Sequence, residues 1–373
     1  MTNLLIYIDI ALQKRQVQVG SPHPMKKLRH FLAMAVPVCL GIVCSTDAAA
    51  QDVVVVRAKT REIWLAPQGI NHPSVDFAAL FQPDAPWKEA ASHVNVFKLS
   101  TGFLLEATAE QINAVVSDLN RRGIAIALET GVINVPRNPA SGCGGMGNVE
   151  GYRTVEVAEQ IARKLKAAHG ELKYIVMSAP LFFGHFYTGR PPRNLGCHST
   201  VQEIMTLSKP TLSVYLREFP NIVIGEVEPT SYIDGEPTWQ VDLQEWAAAL
   251  RTEMERPLAF MQIDVQWDQP DAAQNAADFY KFAQQLQRQG LLGRLGIAYD
   301  GSINEKSDKA WTKAARNHVL LLERDYELRP DQAIFQSLQI NPAHSMPDSA
   351  QDTLTSLVNF YFTPAVEALR GQK

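Results

Sequence analysis

The sequence predicts a single-domain α/β protein with the (β/α)8 architecture of a TIM barrel. Eight short apolar or β-branched runs alternate with amphipathic segments from about residue 62 to the end of the 373-residue chain. Hydrophobic residues make up 46% of the sequence, which suits one large core. A doubly wound open sheet is the alternative, but the segment APQGINHP after the first run lacks a G-x-G-x-x-G nucleotide turn.

The candidate strands follow one another at intervals that leave room for a helix after each. Each strand combines apolar and β-branched residues and is bounded by turn-forming residues. The strands lie at residues 62–66, 93–99, 123–129, 172–178, 221–228, 258–265, 294–300 and 333–338.

The segments between the strands repeat apolar residues at helical spacing. Several of them end at Gly or Pro directly before the next strand, where a helix is expected to stop. The clearest lie at residues 108–123, 152–170, 200–220, 239–254, 276–290 and 352–370. The alternating strands and helices extend through the chain from residue 62 to residue 370, and no second domain is predicted.

The first fifty residues do not follow the barrel pattern. From Met25, a basic stretch precedes an apolar run and three alanines that end at Ala50. This order is that of a secretory signal peptide, and the apolar run is short for a membrane span. We expect residues 1–24 to be an upstream extension from a start codon assigned too early, 25–50 a cleaved leader and 51–373 the barrel. The mature protein would then be periplasmic or secreted.

The charge of the chain argues against two classes of partner. The formal net charge is −4, and cleavage after residue 50 removes five basic and two acidic residues, which changes it to −7. No Lys/Arg-rich run appears in the remaining chain. Nucleic acid and anionic membrane surfaces are therefore poor partners for the mature protein.

Two cysteines, Cys143 and Cys197, remain after the expected cleavage, and both lie in the loop-like segments ASGCGGMGN and RNLGCHS. An exported chain with two cysteines most simply forms one disulfide. The disulfide would join the loops after the third and fourth strands. A metal site would need more ligands than these segments contain.

Acidic residues end four of the predicted strands: Glu129, Glu226, Glu228, Asp264 and Asp300. The C-terminal strand ends carry the active site in (β/α)8 barrels. Glu129 and Asp300 share a side with small residues of their strands, which suits the crowded barrel interior. Strand alternation sends Glu226 and Glu228 to one side, and we expect that side to face the site. Such clusters concentrate at functional sites.

Glycoside hydrolysis fits these residues best, because it needs one protonated and one ionised carboxyl group. We predict Glu228 as the general acid/base and Asp264 or Asp300 as the nucleophile or base. Glu226 and Lys98 would position sugar hydroxyls and tune the pKa values of the other acids. The predicted reaction requires no cofactor.

Further residues are expected to bind the sugar. Glu129 would position hydroxyls, and Tyr152, His185 and Trp267 would line the site, with aromatic rings stacking on sugar faces. The structural alternatives are a loop cap for Glu129, with Lys98 neutralising it, and a hydrogen bond to a loop carbonyl for His185. The expected partner is an oligo- or polysaccharide, and a monomer is the expected assembly.

Two other function classes fit the same residues. A carbohydrate-binding protein would use the acids and aromatics without cleaving a bond, and sugar-dependent stabilisation without release of reducing ends would identify it. A barrel enzyme dependent on a divalent metal would use two Glu, an Asp and a His. The second is less favoured, because no strand end places a histidine as a ligand.

Six segments of the mature chain carry a resemblance to known proteins. They are DFAALFQPDAPWKEAASHVNVFKL, CGGMGNVEGY, SAPLFFGH, IGEVEP, FMQIDVQW and FQSLQINPAHSMPDSAQDTLTSLVNFY. Together they resemble a poorly characterised group of secreted bacterial barrel proteins similar to glycosidases of the large retaining clan. The resemblance covers nearly the whole mature chain and implies the fold more firmly than a substrate.

The chain departs from the pattern that this resemblance implies. The clan places its acid/base at the end of the fourth strand, where this chain has Ser178 and Ala179, neither of which is a general acid at neutral pH. The clan places its nucleophile, a glutamate, at the end of the seventh strand, where this chain has the shorter Asp300. At the end of the eighth strand, residues 337–338 are serine and leucine where similar proteins often have a tryptophan that stacks on the sugar. Either Glu226 or Glu228 provides the acid, or the protein is a non-catalytic relative with a degraded site.

Overall fold

The structure is a computed structural model that describes residues 61–67, 74–134, 143, 149–190 and 194–371. The expected extension and leader, residues 1–50, lie outside the described residues.

Eight parallel strands close into a barrel, which confirms the predicted fold. Neighbouring strands follow chain order, and the first strand closes the ring by pairing with the last. The predicted bounds differ from the observed ones by three residues or fewer. The strands are β1 (Glu62–Ala66), β2 (Val96–Ser100), β3 (Ala125–Thr130), β4 (Leu172–Ser178), β5 (Val223–Pro229), β6 (Leu258–Asp264), β7 (Leu292–Tyr299) and β8 (Gln332–Gln336).

Helices surround the barrel. They are α1 (Lys88–His93), α2 (Thr101–Glu106), α3 (Ala109–Arg122), α4 (Val155–Ala167), α5 (Val201–Glu218), α6 (Thr230–Ile233), α7 (Trp239–Met254), α8 (Ala272–Arg288), α9 (Asp308–Leu320), α10 (Leu354–Tyr361) and α11 (Pro364–Gly371). Short turns at Phe77–Phe81, Phe182–Phe186 and Leu321–Asp325 are 3-10 or π-helical, and Gly189–Arg190 pairs with Asn194–Leu195 as a small hairpin.

Local sequence signals explain several helix ends. Thr108 and Thr200 begin α3 and α5 with capping boxes, in which the hydroxyl and the side chain three residues later satisfy exposed N–H groups. Gly123 ends α3 in the left-handed conformation, with φ of 70°. The predicted helix 352–370 is divided into α10 and α11, because proline disfavours helical backbone in the residue before it.

The barrel interior is filled at mid-height by one side chain from each strand. The eight are Trp64, Val96, Ala127, Val176, Val227, Phe260, Ala298 and Ile334. A second, larger core lies between the strands and the helices. Gly225 allows the tight interior packing, because a Cβ there would lie 2.4 Å from the ring of Phe260. Since strand side chains alternate, residues two positions beyond the mid-height layer point into the barrel mouth.

No helix among the described residues has both the length and the apolar character needed to cross a membrane.

Candidate active site

Inward-facing polar residues meet at the C-terminal end of the barrel. Each lies two or four residues beyond the mid-height residue of its own strand, on the same face. The set consists of Lys98 on β2, Glu129 on β3, Ser178 on β4, Asp264 on β6, Asp300 just after β7 and Gln336 on β8. The prediction that Glu129 and Asp300 point inward is therefore confirmed.

A pocket of about 380 Å³, counted with its open entrance, lies at this mouth. Its described lining includes three carboxylates, Glu129, Glu150 and Asp264. Three aromatic residues of its wall, Phe182, Phe183 and Tyr232, follow β4 and β5. The lining thus combines acidic and aromatic side chains, the residue types that small-molecule sites use for polar contacts and apolar surface.

Lys98 is buried in the mouth and forms an ion pair with Glu129. Its ammonium group also donates to Oε1 of Gln336 at 3.0 Å. The structural alternative for Lys98, neutralisation of Glu129, is therefore what the structure shows.

Asp264 is held by two glutamine side chains. Gln336 donates from Nε2 to Oδ1 at 2.9 Å, and Gln266 donates from Nε2 to Oδ2 at 2.9 Å. One donor thus reaches each oxygen of this carboxylate.

Glu150 is a site residue that sequence reasoning missed. The hydroxyl of Ser178 donates to Oε1 of Glu150 at 2.7 Å, which brings this loop glutamate to the end of β4. Burial raises the pKa of Glu150 to about 7, and the charge of Glu129 adds to the rise. Glu150 is therefore suited to hold a proton at neutral pH.

Backbone contacts return the loop of Glu150 to the rim. The N–H groups of Val132 and Ile133 both donate to the carbonyl of Gly151 at 3.0 Å. A Cβ at Gly131 would lie 2.4 Å from the carbonyl oxygen of Glu150, so glycine is needed for this approach. Glu150 is the acidic residue of the segment NVEGY, which lies in a loop, whereas the acids considered from the sequence all lie at strand ends.

Asp300 is buried beside Asp264. Burial raises the pKa of Asp300 well above its usual range, the charge of Asp264 raises it further, and the indole of Trp267 partly offsets the rise. His318 donates from Nδ1 to the backbone carbonyl of Asp300 at 2.7 Å. Trp267 stacks on His318 with ring centroids 3.5 Å apart and is not among the described residues of the pocket lining, so its predicted contact with sugar stays a prediction.

Glu226 and Glu228 lie on one side of β5, as alternation requires, but that side is the outside of the barrel. Trp246 of α7 donates to Glu226 at 2.6 Å, and the N–H groups of Leu181 and Phe182 donate to Glu228 at 2.9 and 3.3 Å. Both glutamates are fully buried between strand and helices. The expectation that they face the site was wrong.

The prediction assigned the wrong side of β5 to the barrel interior. The inward positions of β5 are those of Gly225 and Val227, so each glutamate is one residue out of step with the interior. A small residue marked the interior on β3 and β7, and Gly225 gave the same signal on β5. Burial raises the pKa of Glu226 to about 8 and that of Glu228 well above its usual range, and the charge of Glu226 adds to the rise at Glu228.

Tyr152 and His185 make structural contacts and are not among the described residues that line the pocket, so their predicted sugar contacts stay predictions. Tyr152 is buried, and its hydroxyl donates to the carbonyl of Phe183 at 3.4 Å. His185 donates from Nδ1 to the carbonyl of Ser199 at 2.6 Å, the alternative anticipated from the sequence. Its Nε2 lies 3.6 Å from the carboxylate of Asp242.

The predicted disulfide is present. Cys143 is bonded to Cys197, with Cα atoms 4.9 Å apart and a sequence separation of 54. The bond joins the loops after β3 and β4, which carry Glu150 and the aromatic wall.

Within the described residues, no group of three or more His, Cys, Asp or Glu side chains is arranged to hold a metal ion.

Comparisons with known proteins support the fold. No protein-family profile matches the chain, and no curated protein matches it in sequence. Among solved structures, a GH5_18 protein from Streptomyces cattleya in complex with GlcNAc is 10% identical, with 85% of this chain and 82% of that chain covered and a TM-score of 0.50.

Two further solved structures have TM-scores below 0.5. A psychrophilic family 10 endo-β-1,4-xylanase is 11% identical over 84% of this chain and 97% of its own, with a TM-score of 0.48. Morphinone reductase is 13% identical over 82% and 88%, with a TM-score of 0.45. Structural neighbours thus include glycoside hydrolase barrels at low identity, and a likeness of this level shows the fold alone.

Proposed function

We propose that the protein hydrolyses an O-glycosidic bond, with Glu150 as the general acid and Asp264 as the ionised carboxylate. The observation that carries the proposal is the placement of Glu150. It is held at the end of β4 by Ser178, its pKa is raised to about 7 by burial, and it lines one pocket with Asp264. This pairing of a protonated and a charged carboxyl group is the requirement of glycoside hydrolysis.

Each carboxyl group has a defined task in this reaction. Glu150 gives its proton to the oxygen of the leaving sugar as the glycosidic bond breaks. Asp264 stabilises the positive charge that develops at the anomeric carbon and either attacks that carbon or takes a proton from the attacking water. Burial and the charge of Asp264 raise the pKa of Asp300 well above its usual range, which favours the protonated form of this neighbour.

A loop residue takes over the position that the sequence leaves without an acid. Ser178 occupies the inward position at the end of β4, and it has no acidic group of its own. Its hydroxyl instead fixes Glu150, which arrives from the loop after β3. The proposal therefore needs no contribution from Glu226 or Glu228.

The remaining walls suit a saccharide. Phe182, Phe183 and Tyr232 offer apolar ring surface for the face of a sugar, and Glu129 in the same lining offers carboxylate oxygens that accept from sugar hydroxyls. The GH5_18 protein that shares the fold was solved with GlcNAc, and a carbohydrate is the substrate class proposed here.

We also propose export of the protein to the periplasm or the medium and membership of the secreted group that the sequence resembles. The leader-like segment 25–50 and the disulfide between Cys143 and Cys197 support this location.

The test compares wild type (residues 51–373) with Glu150→Gln and Asp264→Asn on a panel of neutral, amino and acidic oligosaccharides. Reducing ends are measured after incubation. Either substitution is expected to lower turnover at least about 100-fold, because each removes a group that acts in the transition state. Glu226→Gln is the matched control, because Glu226 is a buried glutamate on the opposite side of β5. Equal turnover in wild type and Glu150→Gln would refute the assignment.

A binding protein without hydrolytic activity is the second candidate. The end of β4 favours this candidate, because Ser178 is the last residue of the strand, Ala179 follows it, and neither has an acidic group. A wild-type protein that is stabilised against heat by a saccharide, yet releases no reducing ends from it, would establish this function.

A further inference from the structure

We propose that Gln336 and Gln266 act as a clamp, a pair of positioning residues that keeps Asp264 ionised and fixes the direction of its carboxylate. This inference rests on the proposed function, in which Asp264 is the charged partner of Glu150.

The direction of the Gln336 amide is set from the other side by Lys98. The ammonium group of Lys98 can only donate, so the amide oxygen of Gln336 must face it, at 3.0 Å. The amide nitrogen is then left to donate to Oδ1 of Asp264, at 2.9 Å. Both side chains are buried, so no exchange with solvent weakens this order.

Gln266 is oriented in the same manner by a different element. The backbone N–H of Ser231, in α6, donates to the amide oxygen of Gln266 at 3.1 Å. The amide nitrogen of Gln266 then donates to Oδ2 of Asp264 at 2.9 Å and to its backbone carbonyl at 3.0 Å. Each carboxylate oxygen of Asp264 thus accepts one N–H group, from Gln336 of β8 at Oδ1 and from Gln266 after β6 at Oδ2.

This arrangement favours the charged form of Asp264. A proton on either oxygen would point an O–H at an N–H and remove one of the two hydrogen bonds. Among the titratable groups near Asp264, Glu150, Asp300 and Tyr232 interact with it unfavourably when ionised. The ammonium group of Lys98, which lies on the far side of the Gln336 amide, acts in the same direction as the clamp. The clamp therefore favours negative charge on Asp264 over charge on Glu150 or Asp300.

The test replaces the donor and keeps the size of the side chain. Gln336→Met removes the N–H to Asp264, and Gln332→Met is the matched control. Gln332 lies on the same strand and face, but its amide donates to Glu62 at 3.0 Å at the opposite end of the barrel. Carboxylate carbon NMR on the folded mature protein gives the pH at which Asp264 titrates in each variant.

We expect Asp264 to titrate at higher pH in Gln336→Met than in wild type and to be unmoved in Gln332→Met. The acid limb of the pH–rate profile should move in the same direction. An unchanged titration of Asp264 in Gln336→Met would overturn the proposal. If Gln336→Met does not fold, Gln266→Met gives the same test from the other oxygen. The NMR readout does not need turnover, so failure of the clamp and failure of the hydrolase proposal are distinguishable.

Discussion

The hydroxyl of Ser178 lies 2.7 Å from the carboxylate of Glu150 and donates a hydrogen bond to it. This contact connects a strand end that lacks an acid with an acid that lies on no strand. It explains how a barrel with serine and alanine at the end of β4 can still present a carboxyl group there.

Ser178→Ala should raise the pKa of Glu150 further, because the Ser178 hydrogen bond favours the ionised form. The general acid must be protonated to act, so the alkaline limb of the pH–rate profile should move to higher pH. Ser178→Thr keeps the hydroxyl and should leave that limb in place. A limb that moves to lower pH in Ser178→Ala would contradict the role of this hydrogen bond.

Replacement of the carboxyl group by an amide should affect turnover differently at Asp264 and at Asp300. Asp264→Asn removes the charged partner and should lower turnover at least about 100-fold. Asp300→Asn replaces a carboxyl group that burial already keeps neutral, so a loss of less than about tenfold is expected. Parallel kcat and KM measurements check this order, and a greater loss for Asp300→Asn would exchange the two roles.

Glu226 should make folding stability depend on pH. Its pKa rises from an ordinary carboxyl value to about 8 on folding, so its contribution to stability is present at low pH and is lost between about pH 4.5 and pH 8. Gln at this position keeps an oxygen for Trp246 and does not titrate. Thermal unfolding at pH 5 and pH 8 should show a smaller loss for Glu226→Gln than for wild type. An equal loss in both proteins would remove Glu226 as the cause.

Glu228 should matter for stability and for the pocket wall rather than as an acid. Its two oxygens accept the N–H groups of Leu181 and Phe182, so Glu228→Gln loses one acceptor and should cost about 1–3 kcal/mol of unfolding free energy. Denaturant unfolding at about pH 5 measures this cost, because at higher pH the substitution also removes a carboxyl group whose raised pKa lowers stability. A leaving-group dependence altered in the way expected for loss of a general acid would instead return the catalytic role to Glu228.

The disulfide should be closed in exported protein and should stabilise the fold. Thiol titration of denatured, unreduced protein should find no free thiol from Cys143 and Cys197. The double replacement of both cysteines by serine should cost about 2–4 kcal/mol, because the bond closes a loop between residues 54 apart. Two free thiols in the exported protein would refute the pairing under natural conditions.

The sequence predicted the barrel because strand and helix periodicities are local properties of the chain. β1 and β4 begin and end at the predicted residues. Periodicity also indicated that Glu226 and Glu228 share a side, but it does not state which side faces the interior. The small residue Gly225 marks the interior side, and its close packing against Phe260 shows this in the structure.

The candidate site was harder to predict from the sequence than the fold, because part of it depends on contacts between distant segments. Lys98, Glu129, Asp264 and Asp300 were found, since each ends a strand. Glu150 was not, because a loop that returns to the rim through backbone hydrogen bonds places it there. The glutamine clamp likewise depends on partners from three different elements.

The central claim is that Glu150 protonates the leaving group, and the dependence of turnover on the leaving group tests it most directly. Wild type and Glu150→Gln are compared on aryl glycosides whose leaving phenols range from strongly to weakly acidic, and on an unactivated oligosaccharide. We predict that Glu150→Gln retains much of the activity on the most acidic phenol and loses at least about 100-fold on the oligosaccharide. An equal effect on all substrates, or no effect on any, would contradict the claim.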